Sequence, residues 1–206
     1  MTLGLTGNPE KDALWVPLAR LVGRLRADGA AFVIDPRLAT GLATRALADS
    51  LDGFVAPIPS PGAGAGPHAD VVLSFGGDGT MLRTAHAVGR AETPILGVNV
   101  GRLGFLADVE TGELDAVVAR LRAGDFRVEA RTVLEATLVE GTPQRMRGEE
   151  APNDGAPPLA PWALNEFAVE RAGRAAHRVH LVKLPERPFF ATLRSKLLWG
   201  RGVAEG

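Results

Sequence analysis

The chain has 206 residues with a net charge of −1, and its 46% hydrophobic and 23% charged residues are typical of a globular protein. This balance excludes a broad electrostatic surface for nucleic acid or anionic membrane, and the absence of cysteine excludes disulfides and thiolate chemistry. We expect a cytoplasmic protein that is not membrane-bound, because no apolar run approaches the roughly 18 residues of a transmembrane helix and the first residues lack a signal-peptide pattern.

Strand and helix patterns alternate through the first part of the chain. Short apolar runs predict buried strands at 2–7, 31–34, 70–75 and 94–100. Apolar residues at helical spacing predict helices at 12–27, 38–51, 81–88 and 111–121. This alternation predicts βαβ units with a parallel sheet and right-handed crossovers. The stretch at 57–67, rich in proline and glycine, is interpreted as a loop.

The pattern changes after Gly124. Apolar residues alternate with charged ones from Phe126, which predicts a long strand with one solvated face. A loop is predicted over 141–161, further strands over 162–170 and 178–184, and a helix over 188–199. We therefore predict an α/β domain over 1–124, a smaller, mainly β domain over 125–187, and a terminal helix and tail over 188–206.

The turn Gly76-Gly77-Asp78-Gly79-Thr80 stands between a predicted buried strand and a predicted helix. Its glycines let the chain turn tightly and bring backbone N–H groups close to a ligand. The N-terminus of the following helix favours phosphate, and in an open α/β sheet this turn lies at the carboxyl ends of the strands, where ligands bind. It matches neither the P-loop nor the G-x-G-x-x-G pattern.

Asp78 is the acid of this turn. A carboxylate beside a hydroxyl nucleophile can orient it and accept its proton during phosphoryl transfer; the alternative is that Asp78 caps the helix. Arg83, one turn later, suits bidentate phosphate binding or a solvated helix face. Thr80 suits a phosphate ligand or a helix cap.

Three blocks of this sequence resemble the bacterial NAD kinase family in order and approximate spacing. They are FGGDGTMLR at 75–83, GVNVGRLGFLAD at 97–108 and ALNEFAVER at 163–171. The opening TGNPEKDALW resembles N-termini in part of that family. The resemblance covers residues 1–182 and, separately, the tail.

The resemblance implies a Rossmann-like N-terminal domain, a β-rich C-terminal domain, and NAD in the cleft between them. It implies phosphorylation of the 2′-hydroxyl of the adenosine ribose of NAD by ATP, with Mg²⁺ bridging the ATP phosphates. Asp78 matches the catalytic aspartate, and Gly79 lies beside it in the dinucleotide site. Asn165 and Glu166 match a pair that holds the adenosine through hydrogen bonds; the alternative for them is an exposed strand end.

Other residues of these blocks are candidates for the same cleft. Asn99, Gly101 and Gly104 suit a loop that lines it. Phe105 suits packing on an adenine ring, or else the core. His177 lies where some relatives contact the dinucleotide, or else on the surface. No metal-ligating side chains are predicted.

The chain departs from the family after the Asn-Glu block. It contains no Gly-Ser-Thr-Ala-Tyr-type segment, and indeed no tyrosine. From Val182 it leads directly to LPERPFFATLRSKLLWG, which resembles the terminal helix of some relatives. We interpret the chain as a NAD kinase that lacks an internal part of its β domain, and we expect exposed strand edges to favour a homo-oligomer. Two alternatives stay open: a non-catalytic dinucleotide-binding remnant, and a kinase for a lipid or sugar hydroxyl.

Overall fold

The computed structural model describes residues 1–57, 69–101, 104–107, 109–135, 162–163 and 173–183. The predicted terminal helix, the predicted loop at 141–161 and most of the predicted strand at 162–170 lie outside these residues, as does most of the loop at 57–67. Within the described residues, no helix is long and apolar enough to cross a membrane.

Strand and helix alternate as predicted as far as Asn99; a short strand that was not predicted then precedes the last helix of this part. The strands there are β1 Leu3–Gly7, β2 Phe32–Ile34, β3 Val71–Gly76, β4 Ile95–Asn99 and β5 Val109–Glu110. The helices are α1 Trp15–Ala27, α2 Pro36–Thr44, α3 Asp78–Val88 and α4 Leu114–Ala123, with short 3-10 turns before α1 and α4. Three more strands are described: β6 Arg127–Glu135, β7 Trp162–Ala163 and β8 Gly173–Lys183.

The predicted bounds of α2 are wrong at both ends. The helix begins at Pro36 because the Asp35 side chain caps it, accepting a 2.8 Å hydrogen bond from the backbone N–H of Arg37. It ends at Thr44, seven residues before the predicted end. Ala46 there takes a left-handed conformation with φ 52°, and the N–H of Leu47 closes back onto the Leu42 carbonyl.

Two other boundaries also differ from the prediction. Helix α3 begins at Asp78 rather than Met81, which places the acid of the glycine turn inside the helix. Strand β8 begins at Gly173 rather than Arg178, because it pairs along almost the whole length of β6.

The described strands form one sheet in the order β2-β1-β3-β4-β8-β6-β7, with β5 beside β4. Strands β1 to β4 are parallel, as predicted. Every residue of β1, β3 and β4 is buried, which is expected of parallel strands covered by helices on both faces. The described fold is therefore α/β, with a mainly β part after α4.

The direction in which strands are added reverses beside β1. The chain runs from β1 to its neighbour β2, then returns past β1 to β3 and on to β4. Helices α1 and α4 pack in one core cluster, while Met81, Ala85 and Val88 of α3 belong to another. Ligands of open α/β sheets bind at such a reversal, outside the carboxyl ends of the strands.

Strand β8 extends the sheet on the far side of β4. Ile95, the first residue of β4, pairs with Leu181 near the end of β8, so most of β8 lies beyond the amino end of β4. Glu92 strengthens this junction: its carboxylate accepts a 2.7 Å hydrogen bond from the N–H of Arg178, and its carbonyl lies 3.0 Å from Nδ1 of His180. Strands β6, β7 and β8, which follow residue 124, join the same sheet as the strands before it. The domain boundary near residue 124 therefore stays a prediction.

Candidate functional site

The glycine turn lies where β3 ends and α3 begins, at the carboxyl edge of the parallel strands. Gly77 is the N-cap residue of α3 and makes no side-chain cap hydrogen bond. Its carbonyl accepts the N–H groups of Thr80 and Met81 at 3.0 and 3.1 Å. The alternatives in which Asp78 or Thr80 caps the helix are therefore wrong, because both lie inside α3.

The Asp78 carboxylate joins this turn to the segment after β4. Its Oδ2 accepts a 2.8 Å hydrogen bond from the N–H of Phe105. Its Oδ1 accepts one of 2.8 Å from the N–H of Leu106 and a longer one of 3.4 Å from that of Ala107. Three backbone donors therefore hold one partly exposed acid at the edge of the sheet.

Glycines at two positions make this close approach possible. A Cβ built on Gly104 would fall on the Asp78 carboxylate, and one built on Gly97 would lie 2.7 Å from Cα of Ala107. A third glycine, Gly76, leaves room for the Thr80 side chain. Internal packing accounts for glycine at all three positions.

Gly77, Gly79 and Gly101 differ from those glycines. A Cβ added to any of them meets no described heavy atom within 4 Å, and none of the three has a positive φ. Neither packing among the described residues nor backbone strain accounts for glycine there. No described residue therefore fills the space beside the backbone on either side of Asp78, which leaves room there for a ligand.

Thr80 lies on the first turn of α3, and Arg83 lies on the next turn. Thr80 is buried, and its hydroxyl accepts a hydrogen bond of 3.3 Å from the exposed Arg83 guanidinium. Beneath them, the hydroxyls of Ser74 and Thr84 lie 2.8 Å apart, and Thr84 also donates to the Thr80 carbonyl. Arg83 is thus held beside the helix N-terminus, while Thr80 packs inward.

The segment after β4 supplies the second wall of the site. Asn99 is buried, and its side-chain oxygen accepts a 2.8 Å hydrogen bond from the N–H of Gly101. Phe105 is 52% exposed, so the alternative that places it in the core is wrong. The turn that binds Asp78 therefore presents an aromatic side chain to solvent.

Two of the predicted site residues, Asn165 and Glu166, lie outside the described residues, and a third, His177, has a described backbone that does not reach this edge. His177 lies in β8, four residues before Leu181, which pairs with the first residue of β4. Its backbone is therefore on the amino-terminal side of the sheet, whereas Asp78 is on the carboxyl side.

Sequence reasoning missed an open cavity of about 450 Å³ between the start of α1 and one side of α2, on the carboxyl side of β1 and β2. The Arg45 guanidinium lies 4.1 Å from the centroid of the Trp15 ring within it. The sequence signal nearest to it is a proline shortly after each of the two strands. The cavity is lined by Pro9, Trp15, Pro36, Arg37, Thr40, Gly41 and Arg45.

The described part of the chain contains no group of three or more His, Asp or Glu side chains able to hold a metal ion. A cation held by the phosphates of a nucleotide is compatible with this edge, because Mg²⁺ in such sites keeps water and phosphate oxygens as ligands and takes few from the protein.

Comparisons with known proteins point to one family. Residues 63–126 match the family model of the ATP-NAD kinase N-terminal domain. The NAD kinase of Porphyromonas gingivalis is 52% identical over 75 residues, which are 36% of this chain and 26% of that protein. The NAD kinase of Rhodococcus erythropolis is 32% identical over 167 residues, covering 73% of this chain and 49% of that protein.

A solved structure has a similar fold. The yeast NADH kinase complexed with NADH superposes with a TM-score of 0.53 at 20% identity, over 66% of this chain and 41% of that one. The chain spans less than half the length of the curated relatives named above, since the longer match covers 49% of its relative.

Proposed function

We propose that this chain, a member of the NAD kinase family, transfers a phosphoryl group from ATP to the 2′-hydroxyl of the adenosine ribose of NAD. The observation that carries the proposal is the Asp78 carboxylate, held at the carboxyl edge of the sheet between open glycine backbones. The names of the NAD kinases that the chain resembles support a kinase that acts on NAD.

In the proposed reaction, Asp78 accepts the proton of the ribose 2′-hydroxyl as the hydroxyl oxygen attacks the γ-phosphorus of ATP. The bond from the γ-phosphorus to the β,γ-bridging oxygen breaks, and ADP leaves with that oxygen. Backbone N–H groups of the glycine turn and the N-terminus of α3 stabilise the phosphate charge. Arg83 adds a guanidinium at the same helix end.

Magnesium enters this proposal as part of the substrate, the MgATP complex. Bound to the phosphates, the ion would neutralise charge that develops on them during transfer. The protein would then need only to position that complex, for which the open backbones of Gly77 and Gly79 leave room.

The dinucleotide side of the proposed site combines a described and an undescribed part. Phe105 follows Gly104 on the turn bound to Asp78 and is 52% exposed, so we assign its ring to stacking on the adenine of NAD. We assign Asn165 and Glu166 to hydrogen bonds with the adenosine; an acid can accept both hydroxyl protons of a ribose, and an amide can donate and accept.

A second candidate is a dinucleotide-binding module without turnover. The observation that favours it is that three backbone N–H groups already engage Asp78, which suits an acid whose role is to hold the turn after β4. Phosphorylation of a lipid or sugar hydroxyl is disfavoured, because such a substrate has no adenosine for the Asn-Glu pair to bind.

The test is NADP formation from NAD and ATP, measured for the parent chain, for Asp78→Asn and for the control Asp125→Asn at an exposed helix end. We expect Asp78→Asn to remove most turnover while NAD affinity stays within a few-fold, since the acid acts mainly in the transition state. Parental turnover in Asp78→Asn would refute the catalytic assignment. A parent that binds NAD without forming NADP would establish the second candidate.

A further inference from the structure

The two oxygens of Asp78 are held unequally. Oδ1 accepts hydrogen bonds from two backbone donors, Leu106 and Ala107, whereas Oδ2 accepts from Phe105. An ionised carboxylate offers about four acceptor sites, two on each oxygen. Donors from the described residues therefore use both sites of Oδ1 and leave one site of Oδ2 for a further donor.

The donors belong to one short turn, residues 104–107, which is itself fixed on the sheet. Ala107 is buried, and its backbone lies so close to Gly97 of β4 that a Cβ on that glycine would be 2.7 Å away. Because the turn rests on β4, its N–H groups hold the Asp78 carboxylate in one orientation relative to the strands.

From this geometry we infer that the 104–107 turn positions Asp78 for reaction, with Oδ2 as the oxygen that receives the substrate hydroxyl. The inference rests on the proposed function for the identity of the hydroxyl. Gly104 is then a positioning residue: a side chain there would occupy the place of the carboxylate, chiefly that of Oδ1, and force the carboxylate out of this orientation.

A double-mutant cycle on thermal stability tests the contact without requiring activity. In the full chain, Gly104→Ala should lower the melting temperature by several degrees, whereas in an Asp78→Ala background the same change should have almost no effect, because the carboxylate it displaces is gone. Gly112→Ala is the matched control, since its added methyl meets no described atom within 4 Å. Equal effects of Gly104→Ala in both backgrounds would overturn the contact.

Steady-state kinetics then separate positioning from folding. Gly104→Ala, assayed below its melting temperature, should lower kcat for NADP formation at least tenfold with KM for NAD changed less than threefold, because the base is misdirected while the binding surface stays. Unchanged kcat, or a kcat above that of the parent, would overturn the positioning role. A parent that forms no NADP would refute the proposed function, and the thermal cycle would still decide whether the turn holds Asp78.

Discussion

Because the space beside Gly79 is open, replacing Gly79 with alanine should change ligand binding without weakening the fold. Alanine at this second residue of α3 adds a methyl group that meets no heavy atom of the described chain within 4 Å. Because alanine is a better helix former than glycine by up to about 1 kcal/mol, Gly79→Ala should leave the protein as stable as the parent or slightly more so. The expected rise in melting temperature is roughly 2–4 °C at most for a chain of this size.

The affinity for ATP or NAD should fall in the same variant. If a phosphate approaches the N–H groups of this turn, the methyl group displaces it and removes a charge-assisted hydrogen bond of about 1.5–3 kcal/mol. That loss corresponds to roughly 10- to 150-fold weaker binding of the phosphorylated ligand at 25 °C. Calorimetric titration with ATP and with NAD gives the affinities, and scanning fluorimetry gives the melting temperatures.

Gly23→Ala is the matched control for this experiment. Gly23 lies inside α1, its added methyl also meets no described atom within 4 Å, and it is remote in sequence from every proposed site residue. It should gain the same stability with no change in affinity. If Gly79→Ala bound both nucleotides as the parent does, the space beside residue 79 would hold only solvent and the phosphate assignment would be refuted.

Three further changes test neighbouring parts of the structure. Gly76→Ala should destabilise the fold by about 1–3 kcal/mol in urea titration, because its methyl overlaps the Thr80 side chain; an unchanged midpoint would contradict that packing. Thr84→Val leaves the buried Ser74 hydroxyl without its 2.8 Å partner and should cost about 1–3 kcal/mol in the same assay, with Thr44→Val, at an exposed hydroxyl, as the control. Glu166→Ala should weaken NAD binding by roughly 1–3 kcal/mol and leave ATP binding unchanged; the reverse pattern would exchange the two substrate sites.

The parallel sheet could be predicted because its signal is local. The apolar runs at β1, β3 and β4 are buried at every residue, and glycine follows or ends each run. The pattern of a buried strand, a glycine turn and a helix is also local, so the sequence predicted that Asp78 lies at a strand-to-helix turn. The end of α2 could not be predicted, because alanine-rich sequence continues past Thr44 and only the left-handed Ala46 stops the helix.

The hydrogen-bond partners of Asp78 could not be predicted from the sequence for a different reason. They are backbone N–H groups 27 to 29 residues away, and every non-proline residue carries such a donor, so residue types give no indication of which ones meet the acid. The sequence also does not show which glycines are required by packing. Gly104 is packed against a carboxylate and Gly79 faces open space, although both are glycines in motifs of the same family.

The strand register places the described start of the Asn-Glu block, Ala163, away from Asp78 along the sheet. Ala163, two residues before Asn165 in the sequence, pairs with Leu134, and Leu134 pairs with Arg174 of β8. Arg174 lies seven residues before Leu181, the partner of Ile95. At about 3.3 Å per residue this is roughly 23 Å of strand, measured from the amino end of β4, whereas Asp78 lies at the carboxyl edge.

The proposed function assigns Asp78 and Glu166 to one NAD molecule, and the two residues come either from one chain or from two copies of it. A site shared between two copies makes NAD affinity depend on protein concentration, because the site is complete only in the oligomer. Titrations of NAD at several protein concentrations, with the parent and with Glu166→Ala, distinguish the two arrangements. Affinity that rises with concentration in the parent and not in the variant would support a shared site, and affinity independent of concentration would support a site within one chain.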